Sequence, residues 1–141
     1  MKSEKKTILV VDDHEEVVEL VQAGLVPQGF RILKAVGAKA ALHVSDVYYG
    51  QIDLLLTDVV MPFMNGKHLA GRICEDRPDI KVIFMSAYSR DVILSHGVVP
   101  EGVCMVQKPF RIQELVNTVE AILSKGPSWK QLVLSSQDLR E

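Results

Sequence analysis

A chain of 141 residues is long enough for one domain with a sizeable core, and its balance of 48% hydrophobic and 24% charged residues is ordinary for a globular protein. A net charge of −2 offers no basic field for nucleic acid, no apolar run approaches a membrane span, and the charged start from Met1 to Lys6 does not lead into a signal-peptide core. The expected setting is therefore the cytoplasm, where Cys74 and Cys104, which lack metal-ligand spacing, read as buried free thiols.

Thr7 to Val11 is an apolar run too short for a typical helix. It predicts a strand buried on both faces, ending at Asp12 and Asp13. His14 to Val26 predicts a helix with acidic residues in its first turn, stopped by Pro27-Gln28-Gly29. His14 reads as a solvated first-turn residue rather than a metal ligand. The apolar positions of this helix span roughly 160° at 100° per residue, which predicts an apolar residue left at an exposed edge. Phe30 to Ala35 is a second, more polar strand, and Ala38 to Val47 a second helix. Ile52 to Thr57 is a third buried strand, and it delivers Asp58. Met61-Pro62-Phe63-Met64-Asn65-Gly66 then forms an irregular loop. Lys67 to Glu75 is a helix closed by Arg77-Pro78, Ile80 to Met85 a strand ending at Ser86, and Arg90 to His96 a short helix. Val103 to Val106 is the fifth strand and leads to Lys108 and Pro109. Arg111 to Ser124 is the clearest helix, its apolar residues confined to an arc of roughly 120°. Gly126-Pro127 breaks it, and Trp129 with Leu132 to Leu134 shows no sustained periodicity. Residues 6–124 are thus expected to form the domain, and 125–141 a C-terminal tail or linker outside its core.

Strand and helix alternate five times, which predicts an α/β fold: a doubly wound parallel sheet with helices on both faces. In the flavodoxin-like order 2-1-3-4-5, the second strand, which ends without a polar group of this kind, is outermost. The strands ending in Asp12-Asp13, Asp58, Ser86 and Lys108 become neighbours along one edge. Carboxylates converging there repel one another, and a hard divalent cation relieves that repulsion. Mg²⁺ suits the site because it also holds phosphate oxygens. Ser86 adds a hydroxyl and Lys108 a point charge. Together these groups describe a phosphoryl site in which a carboxylate, best Asp58 on the central strand, is the nucleophile.

These residues resemble the receiver domain of two-component response regulators, over about residues 6–124. The marks are Val11-Asp12-Asp13, Leu56-Thr57-Asp58 followed by Met61 to Gly66, Met85-Ser86-Ala87 and Lys108-Pro109-Phe110. The resemblance implies that Asp58 accepts a phosphoryl group from a histidine kinase. It implies Mg²⁺ held by Asp13, Asp58 and the backbone carbonyl of Val60, with Asp12 acting through water. It implies Ser86 and Lys108 on the phosphoryl oxygens, a cis Lys108–Pro109 bond, and a regulatory domain rather than an enzyme. The partner would be a sensor histidine kinase or a histidine phosphotransfer domain, with no direct nucleic-acid binding. Tyr88 and Pro109 flank the site. The switch position, commonly aromatic in the family, is Met105 here. Ser86-Ala87-Tyr88-Ser89 and Gln107 to Phe110 look more like receivers attached to hybrid sensor kinases than like those of transcription factors.

Two other classes compete. A flavodoxin-like cofactor-binding module would need a phosphate-binding loop after the first strand, where this chain has Asp12-Asp13. An aspartate-nucleophile phosphohydrolase usually needs a cap, and no strand–helix connection here is long enough to supply one.

Overall fold

A computed structural model describes residues 5–140, with side chains through residue 135. Five parallel strands, β1 (Thr7–Asp12), β2 (Arg31–Val36), β3 (Leu54–Asp58), β4 (Lys81–Ser86) and β5 (Cys104–Gln107), lie in the order β2-β1-β3-β4-β5. Every residue of β1 and β3 is buried, as their unbroken apolar runs require, whereas most of β2 is not. The register pairs Leu9 with Leu33 and Leu55, Leu56 with Ile83, and Phe84 with Met105.

Strand alternation divides the core in two. Ile8, Val10, Leu54 and Leu56 face α1 (Glu15–Leu25) and α5 (Ile112–Lys125), meeting Val18, Val21, Leu115 and Val119. Leu9, Val11 and Leu55 face α2 (Ala38–Val47), α3 (Gly66–Asp76) and α4 (Arg90–Ser95), meeting Ala41, Leu69, Ile73 and Ile93. Element ends fall within two residues of those expected. In α1, Leu20 is the apolar residue left exposed. Cys74 and Cys104 are only partly buried, a correction to the expectation of core thiols; desolvation raises both thiol pKa values.

The caps are local. The Asn65 side chain accepts from the His68 N–H at 2.8 Å to start α3, and Ser89 accepts from the Val92 N–H at 3.3 Å to start α4. Two cations satisfy helix C-termini on the edge away from Asp58. Lys81 Nζ donates to the carbonyls of Ile122 and Leu123 at 3.1 and 3.0 Å. The Arg77 guanidinium donates to those of Ser45, Tyr48 and Gly50 at 3.0, 2.9 and 2.8 Å.

The expectation for residues 125–141 needs correction. After the break at Gly126-Pro127 the chain crosses to the other face of the sheet and forms α6 (Trp129–Arg140). Trp129 is only 4% exposed and belongs to the same core as Leu69 and Ile73. Its ring meets Phe84 edge-on at 5.8 Å, and its N–H donates to the Ile80 carbonyl at 2.8 Å. A short apolar group without periodicity gave no sign of this, because the contact is made with strands 45 to 49 residues earlier in the chain.

Candidate functional site

The parallel sheet brings the predicted strand-end residues to one edge. Asp12 is fully buried, and its Oδ1 accepts from the His14 N–H at 3.0 Å. Its Oδ2 accepts from Lys108 Nζ at 2.8 Å, a contact between residues 96 apart in sequence. Lys108 Nζ also lies 3.5 Å from Asp58 Oδ2, so one ammonium bridges two carboxylates from adjacent strands. Ser86 is buried at the end of β4, and its Oγ accepts from the Tyr88 N–H at 3.0 Å. Tyr88 itself is half exposed. The Lys108–Pro109 bond is cis, and the Lys108 N–H donates to the Ser86 carbonyl at 2.7 Å. Met105 is partly buried beside Phe84, one strand away from Asp58. His14 is exposed as expected, yet its Nδ1 sits 3.3 Å from Asp13 Oδ1 and 3.4 Å from Asp12 Oδ1.

Asp58 is nearly buried. Desolvation raises its pKa to about 6; Lys108 pulls it down, while Asp12 and Asp13 push it up. Among the described residues, Asp13 Oδ1 is the one buried side-chain oxygen or nitrogen without a hydrogen-bond partner. A buried acceptor of this kind costs free energy unless a donor or cation meets it. The Val60 carbonyl accepts none of the hydrogen bonds found among the described residues outside helices and strands, whereas the Val59 carbonyl is taken by the Gly66 N–H at 2.8 Å. Carboxylate oxygens, one of them orphaned, with a free carbonyl nearby are the ligand set of a hard, oxygen-seeking cation, so these residues fit Mg²⁺. The ligand atoms of Asp12, Asp13 and His14 lie within 4.8 Å of one another.

Sequence reasoning missed what shapes the Asp58 backbone. A Cβ on Gly66 would overlap the Asp58 carbonyl oxygen and reach 3.0 Å from the Phe84 ring, so only glycine fits there. The Thr57 hydroxyl donates to the same carbonyl at 3.0 Å. The signal for Gly66 was its place at the first residue of a helix, where glycine costs propensity and needs a reason.

The profile of the response regulator receiver domain matches residues 8–120. The chain belongs to this family. The receiver protein CpdR of Brucella abortus is 30% identical over 119 residues, covering 84% of this chain and 97% of that protein. The sensor kinase CckA of the same organism is 31% identical over 119 residues, but the chain spans only 13% of its length. Among solved structures, the response regulator TrrA of Thermotoga maritima, described in complex with Mg²⁺ and BeF, is 33% identical with a TM-score of 0.67, covering 83% of this chain and 98% of that one. The chain is thus a receiver domain of two-component systems, a phosphoacceptor signalling module with the five-stranded order of its relatives. Nothing supports the cofactor-binding alternative, and the acidic Asp12-Asp13 pair stands where its phosphate loop would be. The domain's role is regulatory, receivers of this kind pair with histidine kinases, and no helix is long and apolar enough to cross a membrane.

Proposed function

We propose that Asp58 is the phosphoacceptor, with a phosphohistidine of a sensor histidine kinase or of a histidine phosphotransfer domain as donor. An Asp58 Oδ attacks phosphorus, the bond from phosphorus to the donor's imidazole nitrogen breaks, and the imidazole keeps that electron pair. The product is an acyl phosphate on Asp58. Asp13, Asp58 and the Val60 carbonyl would hold Mg²⁺, with Asp12 acting through water; the ion would neutralise charge on the phosphoryl oxygens. Lys108 Nζ already lies 3.5 Å from Asp58, and the Ser86 hydroxyl ends the neighbouring strand, so both are placed to bind those oxygens. The observation that carries the reading is the bridging of Asp12 and Asp58 by Lys108 beside the orphaned Asp13 oxygen. The domain would promote its own phosphorylation and dephosphorylation, act in the cytoplasm without touching nucleic acid, and serve as the receiver of a hybrid kinase or as its relay partner.

With Mg²⁺ and acetyl phosphate, the intact mass is expected to rise by one phosphoryl group, stable in acid and labile in base. EDTA should prevent it. A protein that stays unlabelled in Mg²⁺, or labels equally in EDTA, would contradict the assignment.

Met105 bears on output. A planar aromatic has distinct packing states, whereas methionine fills space in several rotamers, so Met105 should separate the two signalling states less sharply. Mg²⁺ with beryllium fluoride, mimicking the phosphoryl group, is expected to change amide exchange little across residues 87–106, and Met105→Tyr to enlarge that change. A large response already present in the wild type, to which tyrosine adds nothing, refutes this reading.

A further inference from the structure

A groove of about 570 Å³ runs along α3 on the side away from Asp58's crevice, with α6 as its second wall. Phe63, Met64, Trp129 and Val133 give it apolar walls. Three observations show that it is built for an occupant.

The first is Gly71, in the middle of α3 and on the groove's floor. An interior helix glycine costs about 1 kcal/mol relative to alanine. Nothing inside the molecule explains it, since a Cβ there would meet no atom within 4 Å. Glycine at such a place lets another backbone approach closely. The second is Phe63, which closes one end. It is 72% exposed and, at φ 76°, the one non-glycine residue with positive φ among the described residues. That conformation is unfavourable for a bulky side chain, and it holds an aromatic ring outward at the groove's mouth. The third is charge. Lys67 and Arg72 line the groove against the single acid Glu75, and Lys39 Nζ sits 5.2 Å above the Phe63 ring. Among the described residues, none of these three cations has a carboxylate within 4.0 Å.

We propose that this groove docks an acidic amphipathic helix of a partner protein. Apolar residues at i, i+3 or i+4, and i+7 would lie over Gly71 between Phe63 and Trp129, and flanking carboxylates would meet Lys67 and Arg72. Positions 67 to 75 span about 12 Å along α3, the length of two to three turns of a partner helix. The site lies outside the phosphoryl crevice and does not depend on its chemistry.

The test is selection from a displayed library of helical peptides on the full chain, with counter-selection on Gly71→Leu. The glycine has open space around it and leucine is the better helix former, so that variant should melt no lower than wild type. Peptides surviving both steps should be acidic and carry the apolar spacing. A synthetic survivor should bind about tenfold more weakly to Gly71→Leu and to Arg72→Glu, a ratio that corresponds to 1.4 kcal/mol. A copy with lysine for its acids should prefer Arg72→Glu. Binding should be unchanged in Asp58→Asn, so a failure here leaves the phosphoacceptor reading intact. The proposal is overturned if no peptide survives, if survivors are basic or uncharged, if Gly71→Leu binds as wild type does, or if Gly71→Leu loses its fold.

Discussion

Asp58→Asn is expected to abolish acetyl phosphate labelling and, in the absence of metal, to make the fold more stable above pH 6. The first effect follows from loss of the only proposed nucleophile: an amide oxygen beside Lys108 cannot form a stable acyl phosphate. Asp13→Ala should suppress labelling as well, by removing a cation ligand while leaving Asp58 in place. The second effect follows from burial. The Asp58 pKa is about 6 in the fold, against an ordinary value of 3.8. Between those values the folded state holds the proton and the unfolded chain releases it, so unfolding loses protons and stability falls as pH rises through this window. Above it the penalty is constant. At about 1.4 kcal/mol per pH unit, the loss is at most ~3 kcal/mol. Asparagine does not titrate, so the variant should pull ahead of wild type as pH climbs from 4 to 6 and keep that lead to pH 8. Thermal melts in EDTA across that range measure it. Coincident melting curves would mean that the folded protein accommodates the Asp58 charge without cost, and a label that survives in Asp58→Asn would move the phosphoacceptor elsewhere.

Trp129→Ala should be the most damaging substitution outside the site. Replacing a fully packed tryptophan by alanine costs about 3–5 kcal/mol. Removing the chain beyond Lys125 should cost more, because the Ile80 carbonyl then also loses the Trp129 N–H that it accepts. Set against a typical total stability of about 5–15 kcal/mol, either change should lower the denaturant midpoint strongly. Trp129→Phe keeps an edge-on ring against Phe84 and should fall between. Guanidinium unfolding followed by circular dichroism distinguishes these outcomes. A truncated chain that unfolds at the wild-type midpoint would make α6 a passenger.

Most of the fold was legible in the sequence because the sheet is parallel and buried. Ile8 to Val11 and Leu54 to Leu56 are unbroken apolar runs, while Arg31 and Lys34 mark β2 as the edge. The site was legible for a related reason: its side chains stand at strand ends, and parallel strands deliver their ends to one edge. Asp12, Asp58 and Lys108 meet as that argument requires. Three features were not legible. The burial of Trp129 depends on a chain crossing from α5 to the opposite face, which no local period encodes. Gly66 looked like a loop breaker, but its constraint comes from the Asp58 carbonyl eight residues earlier. The proximity of His14 to two carboxylates depends on the turn after β1 rather than on residue type.

The seating of Trp129 on Phe84 also gives the protein an optical handle. The chain has one tryptophan, so its indole emission has a single origin. That origin is shielded from water, and its neighbour Phe84 lies two residues before Ser86 on β4 and directly across from Met105. Any rearrangement of β4 that follows ligand arrival at Ser86 would therefore alter the colour and lifetime of that emission, and an unmodified protein would report its own state without an added dye.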